Sequence, residues 1–259
     1  MEKEALTLLA ILVGLIIGSF LNVVIHRLPR RQEIVFRPSH CPRCQAPIPF
    51  YLNVPLLSYA LLRGRCRSCG ARIPPRYPLV EALTALGFWM AVQRYGLSLH
   101  AGAVAVFLSL LIALAFIDLE HMILPDELTL GGAGLFLAYS FFHPEIAWLD
   151  AVLTGFGAAL FFAALFYFYL KVRRIEGLGF GDVKMALMMG LFLGLRRTAV
   201  AIMLASVSGV LVGLFFIAFR KKDLKLALPF GPFLALGGWA ALFQGETLLA
   251  WIASLWGLP

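Results

Sequence analysis

Residues 5–25 read ALTLLAILVGLIIGSFLNVVI, an apolar stretch without one acidic or basic side chain. A helix rises about 1.5 Å per residue, so a run of this length crosses a hydrocarbon core about 30 Å thick. Further apolar runs follow at 79–93, 101–117, 127–142, 150–170, 183–195, 198–219 and within 229–256. The sixth is short. The last window is too long for one straight span and leaves open whether it is a single span or bent. Of all residues, 61% are apolar and only 14% charged, with a mean hydropathy of +0.88. A soluble domain carries about 25% charged residues. Backbone groups in lipid must pair within the protein, so the spans are helices. The expected fold is an all-α polytopic membrane protein, a bundle of about eight transmembrane helices. The leader Met1-Glu2-Lys3-Glu4 has no basic bias, and the first run ends in Asn22, His26 and Arg27. These features predict a retained first span, not a cleavable signal.

One break in composition interrupts this pattern. Residues 26–78 hold ten arginines, one glutamate and nine prolines. They predict a small folded insert that is too short for an apolar core of its own. The domain division expected is 1–25 as the first transmembrane helix, 26–78 as the insert and 79–259 as the membrane core. No internal repeat is read in the chain. Lys171, Arg173 and Arg174, and then Arg220, Lys221, Lys222 and Lys225, fall on the same side as the insert in an eight-span topology. The opposite side offers only Lys3, Arg94, Arg196 and Arg197. Positive charge stays inside, which places the insert in the cytoplasm and both termini outside. Much of the net charge of +8 then answers to topology and anionic lipid, and no nucleic-acid partner is expected.

All four cysteines lie in the insert, in CPRC at 41–44 and CRSC at 66–69. Two C-x2-C pairs at this separation match a tetrahedral zinc site closed by four thiolates, a structural role with no open coordination position. Two disulfides are the plainer alternative, disfavoured in a reducing cytoplasm. A redox pair is the third, but no β-α-β pattern surrounds it. His40 adjoins Cys41 and reads as a bystander. Zinc bound by Cys41, Cys44, Cys66 and Cys69 would supply folding free energy that the insert lacks.

Two aspartates form the second constellation. Asp118 ends the third span and Asp182 begins the sixth, so both fall at the cytoplasmic level of the membrane. Ionisable groups there are costly and suggest function. Asp182 also reads as a helix N-cap, and Asp118 as an interfacial end-of-helix charge. Asp126 reads as the N-cap of the fourth helix. Two carboxylates held close share a proton: one acts as base on water while the other serves the substrate carbonyl. Gly177, Gly179 and Gly181 would let backbone approach a ligand.

These stretches carry a resemblance. GSFLNVVIHRLP at 18–29, the two C-x2-C pairs, IPFYLNVPLLSYALLRGRC at 48–66, YPLVE at 77–81, FIDLEHMILPD at 116–126, GLGFGDVKM at 177–185 and PFGPFLALGG at 229–238 together resemble the type IV prepilin peptidases. The resemblance implies a bifunctional enzyme of the bacterial inner membrane with its active site facing the cytoplasm. Such an enzyme cuts prepilins and pseudopilins after a glycine, with Asp118 and Asp182 as its catalytic pair. It then methylates the new N-terminal residue from S-adenosylmethionine. LRGRC at 62–66, with Arg63, Gly64 and Arg65, is the segment expected to serve methyl transfer, or else a loop turn into the zinc knuckle. Gly14, Gly18 and Asn22 share one face of the first helix, for close helix packing or a polar lining. Lys184 reads as a lipid anchor or as a charge that tunes Asp182. The competing function is a proton-coupled transporter, which would want carboxylates near mid-membrane and broken helices in repeated halves. The individual pilins, the service of pilus or secretion system, and the oligomeric state are not readable here.

Overall fold

The computed structural model describes residues 2–35, 39–173, 179–220 and 228–255. Among them there is no strand, and the helices are α1 (Glu2–Arg27), α2 (Leu57–Leu61), α3 (Arg76–Tyr95), α4 (Leu99–His121), α5 (Asp126–Tyr139), α6 (Trp148–Arg173), α7 (Phe180–Arg220) and α8 (Gly231–Leu255). Five of them are long and apolar enough to cross a membrane by length and composition. α7 is broken at Gly194, whose φ of 71° lies outside the helical region, so its two halves correspond to the sixth and seventh apolar runs. With α7 counted as two, and the five-residue α2 set aside, eight helical segments follow the eight runs. Within the 229–256 window the described residues form one continuous helix, α8. The chain is thus an all-α, multi-pass membrane protein.

The chain divides into two compact units, Met1–Ala113 and Leu114–Pro259. In the first, α1 lies tightly against α3. A Cβ on Gly14 would come within 2.6 Å of the Ala85 Cα, and one on Gly18 within 2.7 Å of the Glu81 Cα. The small residues of the first helix therefore bring two backbones together, as membrane helix pairs require. The packing also buries Asn22, whose Nδ2 donates to the Tyr77 carbonyl at 3.0 Å.

In the second unit α7 is central, with α5, α6 and α8 packed on it. Met185, Met188, Met189, Leu191 and Phe192 are all buried. At the break, the positive φ of Gly194 excludes other residues at little strain, and a Cβ there would come within 2.9 Å of Asp150 Oδ2. Arg197, just beyond, pairs with Glu145 at 2.5 Å. The orientation reading for the insert's side drew on Arg174, Lys221, Lys222 and Lys225, which lie outside the described residues, as does Gly177.

Candidate active site and cysteine cluster

Asp118 occupies the last turn of α4, where the chain leaves the helix through Met122 at a φ of 54°. Its Oδ2 accepts the N–H of Gly231, the first residue of α8, at 2.9 Å. A Cβ on Gly231 would reach 2.7 Å from that oxygen, so a glycine is needed for the approach. Asp182 lies in the first turn of α7. Its Oδ2 accepts the N–H of Gly179 at 3.1 Å, while its own N–H donates to the Gly179 carbonyl at 3.0 Å. This is the reach-back of an acidic residue at the third helical position, so Gly179 caps the helix and Asp182 closes the turn from inside it. The N-cap reading of Asp182 is corrected by three positions.

Both carboxylates are buried, at 6% exposure for Asp118 and 5% for Asp182. They lie close enough for the charge of one to act on the other. Each spends one oxygen on a backbone N–H. Asp182 Oδ1 is fully buried and has no hydrogen-bond partner among the described residues. A buried polar atom left unpaired costs about 1–3 kcal/mol, a cost associated with functional sites. Leu124 sits beside both Gly181 and Gly231, with its Cβ 2.8 Å from where a Gly181 Cβ would stand. Gly181 thus makes room for the chain itself. Asp126 is the first residue inside α5, and Pro125 holds the N-cap position assigned to it from sequence. The Asp126 carboxylate instead pairs with Lys184, whose ammonium also lies 5.4 Å from the Phe180 ring centroid. Neither sequence reading of Lys184 anticipated this pair. Nor did the sequence reading find Gly231, although PFGPFLALGG was singled out: a backbone N–H leaves no signature in side-chain identity.

The four cysteine sulfurs gather in the first unit, all within 4.8 Å of one another, with Cys41 and Cys69 Sγ 3.9 Å apart. Four sulfurs on a zinc ion at about 2.3 Å stand about 3.8 Å apart, so the donor set fits. Disulfide pairing would need sulfurs about 2.05 Å apart.

The two cysteine turns are copies. CPRCQAPI at 41–48 and CRSCGARI at 66–73 make the same three backbone bonds: Cys41 N to Ala46 O and Cys66 N to Ala71 O, Gln45 N to Cys41 O and Gly70 N to Cys66 O, Ile48 N to Ser39 O and Ile73 N to Gly64 O. An antiparallel bridge closes each, His40 with Pro47 and Arg65 with Arg72. The expectation of no internal repeat is therefore wrong at this scale; eight residues shared mainly through C-x-x-C-x-A-x-I are too few to stand out before the turns are seen.

Backbone N–H groups of Cys69 and Ser68 aimed at the Cys66 sulfur lower its thiol to about 6. At Cys44 the Ala46 N–H favours the thiolate, but burial and the other three cysteines outweigh it and push the thiol up to about 11. Four thiolates this close repel one another without a cation between them, which a metal ion relieves.

Beside the cluster, the first unit holds a cavity of about 930 Å³ lined by Cys41, Cys66, Leu62 and residues of α1 and α3. Arg63, Gly64 and Arg65 do not line it. Gly64, at a φ of 65°, is buried under the Tyr59 ring, and Arg65 is held in the second turn.

An all-helical membrane protein with a buried carboxylate pair in one unit and a four-cysteine cluster in the other is the class these features define. A family model described as the bacterial peptidase A24 N-terminal domain matches residues 12–95, and that of the type IV leader peptidase family matches residues 105–214. The chain is similar to the prepilin leader peptidase/N-methyltransferase of Aeromonas salmonicida, 37% identical over 95% of this chain and 93% of that protein. The protein of the same name from Pseudomonas aeruginosa is 35% identical over 94% and 92%. That of Myxococcus xanthus is 43% identical over 79% of this chain and 61% of its own length. No solved structure matches. The chain belongs to the type IV leader peptidase family.

Proposed function

We propose that the chain is a bacterial inner-membrane enzyme that removes the leader peptides of type IV prepilins and pseudopilins after a glycine and then N-methylates the new N-terminal residue. The observation that carries the first activity is the pair Asp118 and Asp182, buried together with Asp182 Oδ1 unpartnered. One carboxylate, ionised, draws a proton from water as it attacks the scissile carbonyl. The other, protonated, donates to the developing oxyanion and then helps protonate the leaving amine. The N–H groups of Gly179 and Gly231 fix the two carboxylates without using their second oxygens.

The charge bias of the insert supports a cytoplasmic face for this pair. Residues 79–259 would form the peptidase core, 1–25 the first span, and 26–78 the insert stabilised by zinc on Cys41, Cys44, Cys66 and Cys69. Zinc when bound would neutralise the four thiolates and fix the two turns. Methyl transfer needs S-adenosylmethionine, an unprotonated amine and their alignment, not the carboxylate pair. It belongs with the insert and the helices flanking it, including 62–66.

The test is Asp118→Asn and Asp182→Asn, purified in detergent and given a synthetic prepilin, with the product N-terminus weighed by mass spectrometry. Each should cut at least about 100-fold more slowly. Asp182→Asn should still methylate a pre-cleaved peptide that begins with phenylalanine. Near-normal cleavage by either variant would remove the pair from the mechanism.

A further inference from the structure

Where α1 crosses α3, the cavity of the first unit has a wall of buried acceptors. Glu81 is 7% exposed and Asn22 2%, and both line the cavity. The Asn22 amide is oriented by its surroundings: Nδ2 donates to the carbonyls of Gly18 at 3.3 Å and Tyr77 at 3.0 Å. Reversing it would set two oxygens against a third. Its Oδ1 is therefore an acceptor, and it is buried with no hydrogen-bond partner among the described residues.

Glu81 Oε2 accepts the N–H of Leu56 at 2.8 Å, and the Ser19 hydroxyl donates to the same carboxylate. Leu56 makes its bond from a φ of 58°, a conformation costly for a leucine, so local strain is spent on holding this carboxylate. Gly18 permits the crossing that puts Ser19 and Asn22 beside Glu81. A carboxylate and an orphan amide oxygen on one wall call for a ligand with several N–H donors and positive charge. The volume of about 930 Å³ lies within the range of cofactor sites.

We propose that Glu81 and Asn22 bind a primary ammonium group in the methyl-transfer chamber, which rests on the methyltransferase half of the proposed function. Both participants in that reaction carry such a group, the methyl donor on its methionine moiety and the cleaved substrate at its new N-terminus. In transfer, the lone pair of a neutral substrate amine attacks the methyl carbon. The carbon–sulfur bond breaks with its electrons left on sulfur, and the N-methylammonium product sheds one proton to water. Held on the donor, the ammonium anchors the nucleoside. Held on the substrate, it places the amine that must lose its proton before attack.

The experiment is equilibrium binding of labelled S-adenosylmethionine to the full chain in detergent, wild type against Glu81→Gln, with 5′-methylthioadenosine, which lacks the ammonium group, as the second probe. If the donor's ammonium is bound, Glu81→Gln weakens S-adenosylmethionine binding by about tenfold or more and leaves the methylthioadenosine affinity within about twofold. If the substrate's is bound, donor affinity holds, and the KM for a pre-cleaved peptide rises about tenfold while the binding of its N-acetyl counterpart does not change. Equal losses for probes with and without the amine, or no change beyond about twofold in any of them, would overturn the assignment. Ser19→Ala removes only the hydroxyl that orients Glu81 and serves if Glu81→Gln does not fold. It should shift the same constants in the same direction by about threefold, and unchanged constants overturn the proposal equally. A wild-type protein that neither binds donor nor transfers methyl groups would instead contradict the proposed function itself.

Discussion

Between Ser39 and Ile73 only Cys41, Ser58 and Gly64 are buried among the described residues, whereas the second unit buries methionines, leucines and a phenylalanine in the first half of α7, from Met185 to Leu193. The insert is built from turns and sulfurs, the second unit from packed apolar faces around two carboxylates. Each region buries what its neighbourhood finds expensive. Thiolates are tolerable if a cation gathers them, and carboxylates are tolerable if a backbone N–H meets each one. The insert should therefore depend on an ion from solution, while the second unit carries its compensation in its own chain.

Metal removal separates the two most strongly. About one zinc ion per chain is expected, and a chelator should open the insert to protease between Ser39 and Ile73 while the helical content of the bundle holds. Acid should act in the same direction. Thiolate ligands compete with protons for the metal, so metal is retained at neutral pH and released as acid protonates the sulfurs. Metal analysis across a pH series, with limited proteolysis alongside, checks both. Protein that contains no metal but resists protease equally would break the contrast.

Gly231→Ala tests the other side. The added methyl would stand 2.7 Å from Asp118 Oδ2 and force the carboxylate to move. Cleavage should fall about tenfold or more, since small misplacements of reacting groups are costly. Metal content should not change, and parallel kinetics and metal analysis read out the difference.

The Lys184–Asp126 pair is half exposed, with Asp126 at 58% and Lys184 at 21%. Lys184→Met should lower stability in detergent by no more than about 1 kcal/mol, and less in high salt. Thermal unfolding at two salt concentrations measures this.

The smallest effect expected is at Gln45, which stands at a φ of 58° where the second turn has Gly70 at 67°. Gln45→Gly relieves a left-handed conformation that costs about 1 kcal/mol, offset in part by the greater freedom of glycine in the unfolded chain. The insert should resist protease slightly better, and a marked loss would mean the Gln45 side chain contributes more than its backbone shape.

The helices were readable because lipid permits few backbone solutions: a long apolar run has to be helical, and the break at Gly194 falls at the end of the sixth run, just before the gap that separates it from the seventh. The four cysteines were readable because the donor type and its spacing are the signal. What escaped is what depends on backbone or on a distant partner. The Gly231 N–H serves Asp118 across 113 positions of sequence. Lys184 and Asp126 are 58 apart, and nothing in either stretch names the other. Glu81 and Asn22 were each quoted within a motif, but their meeting follows from Gly18 and the closeness of two helices, a distance no spacing rule supplies.

The duplicated cysteine turn makes the insert modular. Each copy closes on itself through its own three backbone bonds, and none of these bonds involves the chain between them, 49–63. The cost of closing a loop rises slowly with length, about 0.6 kcal/mol per doubling. A few residues added after Leu52, outside both copies, should leave the cluster assembled, whereas one residue added between Cys41 and Cys44 should destroy it. The insert is then a pair of fixed fittings on an adjustable cord, and the place where length is free lies beside the cavity that the same cord helps to line.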